Sequence, residues 1–241
     1  ITLSAGELGL LAAGLLVAGT ITGFLSGLLG IGGGGILVPV LYETFAALGV
    51  DPAIRMHMAL GTSLAVVAPT TLRSFLAHRA KGTPDIALMR RLGPWLVVGV
   101  VLGVLTAERS SSAVLMAIWA LFGSLMALKM ALGRDDWRLG TSIPQSWGSE
   151  IFMIAVGFVS VLMSIAGAVF TVTFMTLYDR PLLRAVATSA GFGPMIAVPG
   201  LLGLAWAGWG APGLPPLSVG YVNVLGALVA AVTGTDRDRA L

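Results

Sequence analysis

The sequence contains no cysteine, only two histidines and few charged residues. Without cysteine it cannot form disulfides, cysteine metal sites or thiol nucleophiles. His57 and His78 are too few for a histidine metal cluster, so we predict no metal and no cofactor. The sequence also lacks a His, Glu and Asp cluster and a Gly-x-x-x-x-Gly-Lys-Ser/Thr phosphate loop. These absences argue against an enzyme and against ATP hydrolysis within this chain.

Charged residues make up 10% of the 241 residues, whereas a soluble domain carries about 25%. Hydrophobic residues make up 56%, and the mean hydropathy is +0.95. A soluble fold of this size could not cover so much apolar surface. The net charge is only +3, so the high pI reflects a few loop arginines, and we expect no nucleic-acid partner. The composition predicts an integral membrane protein surrounded by the lipid bilayer.

Apolar segments long enough to consider as membrane helices recur along the whole chain. A helix that crosses the bilayer needs about 20 mostly apolar residues. The second, sixth and seventh segments are short, which favours half-helices or re-entrant pieces there. The predicted segments are 8–29, 31–48, 56–77, 86–106, 111–132, 149–164, 165–178, 183–206 and 217–233.

A polar stretch divides these segments into two groups. Residues 133–148 are predicted to link a first transmembrane repeat, 1–132, to a second, 149–241. The chain turns abruptly polar after 233, so we expect the second repeat to lack its last helix.

Basic residues follow the odd-numbered segments. Since Lys and Arg concentrate in cytoplasmic loops, we expect these loops in the cytoplasm, the N-terminus outside, and the chain in a bacterial cytoplasmic (inner) membrane. The residues concerned are Arg79, Lys81, Arg90, Arg91, Arg134, Arg138, Arg180, Arg184, Arg237 and Arg239.

An internal repeat carries most of the information. Gly23-Phe24-Leu25-Ser26 recurs as Gly157-Phe158-Val159-Ser160, and Ala59-Leu60-Gly61-Thr62-Ser63 recurs as Ala185-Val186-Ala187-Thr188-Ser189. If each half holds five segments, an odd number, the halves must be inverted relative to each other. The predicted fold is therefore an all-α polytopic bundle of two inverted repeats with broken or short helices at the Gly-rich motifs. This architecture is typical of secondary transporters.

Glycines between the first two segments predict a break in the helix. Consecutive glycines weaken a helix, and unwound backbone in a membrane is tolerated only where it lines a protein cavity. The restarting helix would offer free N–H groups to an oxyanion. Close helix packing is the alternative explanation; we favour a substrate site. The candidates are Gly32, Gly33, Gly34 and Gly35, with Ala166 and Gly167 in the second copy.

The stretch from Gly23 to Gly34, followed by Pro39, resembles the signature of the TauE/SafE sulfite-exporter family of membrane transporters. The Ala59–Ser63 motif and its weaker copy Ala185–Ser189 also resemble that family. The resemblance implies transport, mostly outward, of sulfite, of organosulfonates such as sulfoacetate, or of related small sulfur-containing anions.

Hydroxyl and ionisable residues complete the candidate site. Thr62, Ser63, Thr188 and Ser189 could donate hydrogen bonds to the anion, or bond back to their own helices. Arg73 could attract the anion, or extend to the membrane interface. A coupling proton could use His57, His78 or Glu43, although an interfacial position is the favoured interpretation of all three.

Together these features predict a secondary transporter of small sulfur-containing anions that works by alternating access and is driven by a proton or anion gradient. A passive anion channel, or a carrier of a different small organic anion, is the alternative. The sequence makes no prediction about oligomeric state.

Overall fold

The structure is a computed structural model that describes residues 34–132 and 138–235. Predicted segment 8–29 and the first motif as far as Gly33 lie outside the described residues, as do 133–137 and the tail from 236. Within the described ranges each of the other eight predicted segments contains one helix. The helices are α1 Gly34–Ala47, α2 Pro52–Ala80, α3 Ile86–Arg109, α4 Ser112–Leu132, α5 Trp147–Met163, α6 Ala168–Leu177, α7 Leu182–Ala207 and α8 Val224–Thr235.

Three of these helices are long and apolar enough to cross a membrane: α2, α3 and α7, with 29, 24 and 26 residues. At about 1.5 Å per residue each exceeds the roughly 30 Å of a hydrocarbon core. Helices α1, α5 and α6 are apolar but have only 14, 17 and 10 residues. The described residues therefore form an all-α integral membrane protein with short helices at the repeated motifs, as predicted.

Glycines set the closest helix contacts. A Cβ built on Gly99 in α3 would overlap the carbonyl oxygen of Ile154 in α5, and one built on Gly157 in α5 would overlap the carbonyl oxygen of Leu96 in α3. Association of helices in lipid depends on such close packing, because burial from lipid supplies no hydrophobic gain. The reciprocal glycines thus fix α5 against α3.

The last predicted segment, 217–233, is wrong as a single helix. It begins with a two-stranded antiparallel hairpin of β1 Ser218–Val219 and β2 Val222–Asn223, and α8 starts only at Val224. Gly220 turns the hairpin with a φ of 57°, a conformation that side chains disfavour. A Cβ there would also overlap the carbonyl oxygen of Ala205, so the hairpin packs directly on α7.

Helices α2 and α7 lie side by side at the centre and run in opposite directions. Near its start, α2 contacts the end of α3, where His57 Nε2 lies 3.0 Å from the carbonyl oxygen of Ala107. Near its start, α7 contacts the other end of α3, where Arg184 Nη2 lies 3.4 Å from Asp85 Oδ2. Since α2 and α7 carry the two copies of the Thr-Ser motif, corresponding helices of the two halves are inverted.

Candidate functional site

The chain unwinds between α5 and α6. Ser164 and Gly167 both adopt left-handed backbone angles, with φ values of 53° and 68°. The Ser164 hydroxyl donates a hydrogen bond of 3.1 Å to the carbonyl oxygen of Leu60 in α2. Ser164 is fully buried, and Ala166 is nearly so. Unwound backbone therefore lies inside the protein, as the lipid environment requires.

The described end of the first motif meets this interruption. Gly34 is the first described residue of α1, and a Cβ there would overlap the carbonyl oxygen of Ser164. Gly34 is buried and Gly35 is half-buried, while Gly32 and Gly33 lie outside the described residues. Gly34 thus allows α1 to contact the interruption between α5 and α6 in the core.

Three buried hydroxyls surround Gly167, and we call Ser160, Thr171 and Ser189 the hydroxyl cluster. Thr171 Oγ1 lies 2.7 Å from Ser189 Oγ and donates at 3.0 Å to the carbonyl oxygen of Gly167. Ser160 Oγ would lie 3.0 Å from a Cβ built on Gly167. Exposures of 0%, 1% and 2% put all three out of contact with solvent.

The start of α6 adds backbone donors to this cluster. Gly167 occupies the N-cap position and makes no side-chain capping bond, so no side chain at the N-cap position satisfies the first N–H groups of α6. A helix N-terminus also carries a partial positive charge. Ser160 Oγ has no hydrogen-bond partner among the described residues. Neutral donors therefore gather at one buried point, which suits a small oxyanion.

The first half lacks one member of the corresponding cluster. Ser63, which matches Ser189, is fully buried, and its hydroxyl has no partner within the described ranges. At the offset of the Gly-rich motifs, the residue that matches Thr171 is Leu37. A hydroxyl that could bond to Ser63 is thus replaced by an apolar side chain, and the two halves differ at this point.

Thr62 and Thr188 bind backbone instead of facing the cluster. The N–H of Asn223 donates to Thr62 Oγ1 at 3.0 Å, and the N–H of Asp85 donates to Thr188 Oγ1 at 2.9 Å. The Thr188 hydroxyl also donates to the carbonyl oxygen of Arg184 in its own helix, at 2.7 Å. The acceptor role of both threonines is therefore taken up by helix starts of the other half.

Arg73 and His57 lie apart from the hydroxyls. Arg73 is on an exposed face of α2, about 16 Å along the helix from Thr62 at about 1.5 Å per residue. His57 is buried inside the protein, where its Nε2 lies 3.0 and 3.1 Å from the carbonyl oxygens of Ala107 and Ser110 at the end of α3. His78 is half-buried and Glu43 is exposed.

Several basic loops meet at one end of the bundle. Arg138 Nη1 lies 2.7 Å from Asp179 Oδ1, and Arg91 Nη2 donates to the carbonyl oxygen of Pro144 at 3.4 Å. With the Arg184–Asp85 pair, these contacts bring the loops before α3, α5 and α7 together. Hence the described basic loops share one side; we call it the basic end.

Residues 15–237 match the family model described as sulfite exporter TauE/SafE. The chain belongs to the TauE/SafE family. A probable membrane transporter protein of Haemophilus influenzae is 30% identical over 221 residues, which cover 92% of this chain and 83% of the relative. One from Methanocaldococcus jannaschii, also a probable membrane transporter protein, is 28% identical over 224 residues, covering 90% and 80%. No solved structure matches the chain.

Membership of the TauE/SafE family makes the chain a multi-pass membrane transporter and not an enzyme, as the sequence predicted.

The internal repeat predicted only part of the candidate site. Ser160 carried a signal, because it matches Ser26. Thr171 carried none, because its counterpart Leu37 is apolar, and Asp85 and Asn223 are distant in sequence from the threonines that they contact.

Proposed function

We propose that this TauE/SafE transporter carries small sulfur-containing oxyanions, such as sulfite or an organosulfonate like sulfoacetate, out of the cell. The family description supports the substrate class. The observation that carries the binding step is the contact of Gly34 with the interruption between α5 and α6, beside a fully buried Ser160 hydroxyl that has no partner among the described residues. Such donors hold a sulfonate or sulfite by hydrogen bonds without the cost of burying a fixed cation.

The proposed site centres on Gly167 and the start of α6. First-turn N–H groups of α6 and the Ser160 hydroxyl donate to the anion, while Thr171 and Ser189 orient the site. Ser63 joins from the first half through its hydroxyl, which has no partner in the part of the chain that the structure describes, with Gly32–Gly35 and Ala166 as the proposed surrounding small residues. Arg73 acts at most on the approach of the anion, since it lies on the outer face.

Alternating access would follow from the inverted arrangement of the two halves, 1–132 and 149–241, joined by the linker 133–148. Antiparallel α2 and α7 support this division, since each carries one copy of the Thr-Ser motif. Transport would be driven by a proton or anion gradient. The concentration of Arg and Lys supports a cytoplasmic basic end, an external N-terminus and a place in the bacterial inner membrane.

The test is counterflow of radiolabelled sulfite and sulfoacetate into liposomes that contain the full-length protein. We expect saturable exchange that chloride does not inhibit at equal concentration. Ser160→Ala should raise the KM for the anion by about tenfold or more, because a hydrogen bond to a charged group is worth about 1.5–3 kcal/mol. Thr171→Val, which removes only a group that orients the site, should raise the KM by a smaller factor.

Thr70→Val is the matched control. Thr70 lies on an exposed face of α2, and its hydroxyl bonds back to the carbonyl oxygens of Val66 and Val67. The Thr70→Val substitution removes a hydroxyl from the same bundle without changing the hydroxyl cluster.

Equal exchange of chloride and sulfite would refute the substrate class. Conductance far above carrier turnover would indicate a channel, and unchanged KM values in both cluster variants would refute the site.

A further inference from the structure

Two buried threonines at matching positions make the same contact with the opposite half. Thr62 Oγ1 in α2 accepts from the N–H of Asn223, immediately before α8. Thr188 Oγ1 in α7 accepts from the N–H of Asp85, immediately before α3. Both threonines have 0% exposure; the bond to Asn223 is buried, and the bond to Asp85 is partly buried. Each central helix thus holds the start of a helix that belongs to the other half.

The match extends to the residues that donate. Asp85 Oδ1 accepts from the N–H of Leu88 at 3.1 Å, and Asn223 Oδ1 accepts from the N–H of Gly226 at 2.7 Å. Both are side-chain caps to a residue three positions later. The cap fixes the backbone of the donor residue, so its N–H is aimed at the threonine. The same device therefore occurs twice, in residues that share no motif.

The two contacts lie toward opposite ends of the bundle. Asp85 and Thr188 are at the basic end, where Asp85 also pairs with Arg184 at 3.4 Å. Asn223 and Thr62 are toward the other end, where the ring of Tyr221 in the same hairpin lies tilted against the ring of His57, with centroids 4.8 Å apart. Since the Arg184 side chain is 51% exposed, that ion pair adds little to the contact at the basic end.

We propose that these contacts are two latches between the halves, and that each must break for the transporter to open at its own end. The basic-end latch is Thr188–Asp85, and the opposite-end latch is Thr62–Asn223. A buried N–H that loses its acceptor is costly unless water replaces that acceptor, so breaking a latch and admitting water at that end occur together. The mechanism rests on the proposed alternating access but not on the identity of the anion.

Single-cysteine accessibility tests this directly, because the 241 residues contain no cysteine. Ala59 in α2 and Ala185 in α7 are repeat-matched, fully buried and close to the two latches. Cysteine is placed at one or the other (Ala59→Cys or Ala185→Cys) in the full-length protein. A membrane-impermeant maleimide is then applied to intact cells and to inverted membrane vesicles.

Each latch variant should act on its own end alone. Thr188→Val should raise the labelling rate of Ala185→Cys about 3- to 20-fold from the basic-end side, the range expected for one hydrogen bond between membrane helices, and leave Ala59→Cys unchanged. Thr62→Val should raise the labelling rate of Ala59→Cys from the opposite side by a similar factor and leave Ala185→Cys unchanged. Thr62→Ser and Thr188→Ser, which keep the hydroxyl, should restore rates near those of the unmutated protein.

Equal changes at both reporters, or none, would overturn the proposal. If a valine variant does not fold, Asp85→Ala or Asn223→Ala replaces it, since loss of the cap frees the donor while the threonine remains. End-specific labelling without sulfur-anion counterflow would leave the latches standing and remove the substrate. Sulfur-anion counterflow with unchanged labelling would support the substrate and refute the latches.

Discussion

The contact between Thr171 and Ser189 allows a quantitative test of the hydroxyl cluster. Their oxygens lie 2.7 Å apart, with exposures of 1% and 2%. Thr171 has one proton, which it donates to the carbonyl oxygen of Gly167. Ser189 is then the donor between the two hydroxyls, and Thr171→Val leaves that donor without its acceptor.

The magnitude follows from this assignment of protons. Hydrogen bonds between membrane helices contribute about 0.6 kcal/mol on average and up to about 1.7 kcal/mol in double-mutant cycles. At 2.7 Å and with full burial, this pair should have a coupling energy in the upper half of that range. Ser189→Ala alone should cost less than Thr171→Val alone, because Thr171 keeps its bond to Gly167.

The assay is the free energy of unfolding in mixed micelles for the unmutated protein, the two single variants and the double variant. Residues in contact show non-additive effects, which the cycle isolates. We expect the double variant to be more stable than the sum of the single losses predicts. Additive losses would refute the hydrogen bond and, with it, the geometry of the site around Gly167.

Two further predictions concern packing and burial. Gly157→Ala should lower the unfolding free energy by about 1–3 kcal/mol, the usual cost of overpacking, because the new methyl group would overlap the carbonyl oxygen of Leu96. Gly123→Ala is its control, since the nearest atom there is 3.8 Å away, and equal losses in thermal unfolding would contradict the packing argument. His57→Leu should cost about 1 kcal/mol through loss of its donation to carbonyl oxygens at the end of α3, and His57→Gln should retain part of it. A leucine variant as stable as the unmutated protein would show that this bond is not stabilising.

The sequence predicted the class of this protein and most of its helices because both depend on local composition. The bilayer imposes a fixed length and polarity on a membrane helix, so apolar runs such as 183–206 are recognisable without tertiary information. The internal repeat also predicted the helix break at Gly167, because a small-residue motif that occurs twice in one chain indicates the same interruption in both halves. The hairpin before α8 was missed because Gly220 and Asn223 act through turn and cap geometry, which average hydropathy does not detect.

Tertiary structure decided which hydroxyls meet and which are already bonded. The repeated Thr-Ser motif marked Thr62, Ser63, Thr188 and Ser189 alike. In the structure the two threonines bind helix starts of the opposite half. Ser189 instead contacts Thr171, and the Ser63 hydroxyl has no partner among the described residues. Adjacent residues on a helix project in directions about 100° apart, so one motif serves two surfaces. The sequence by itself determined where most helices and the interruption at Gly167 lie; only the packing of other elements around α2 and α7 determined what each hydroxyl contacts, because those partners lie up to 161 positions away along the chain.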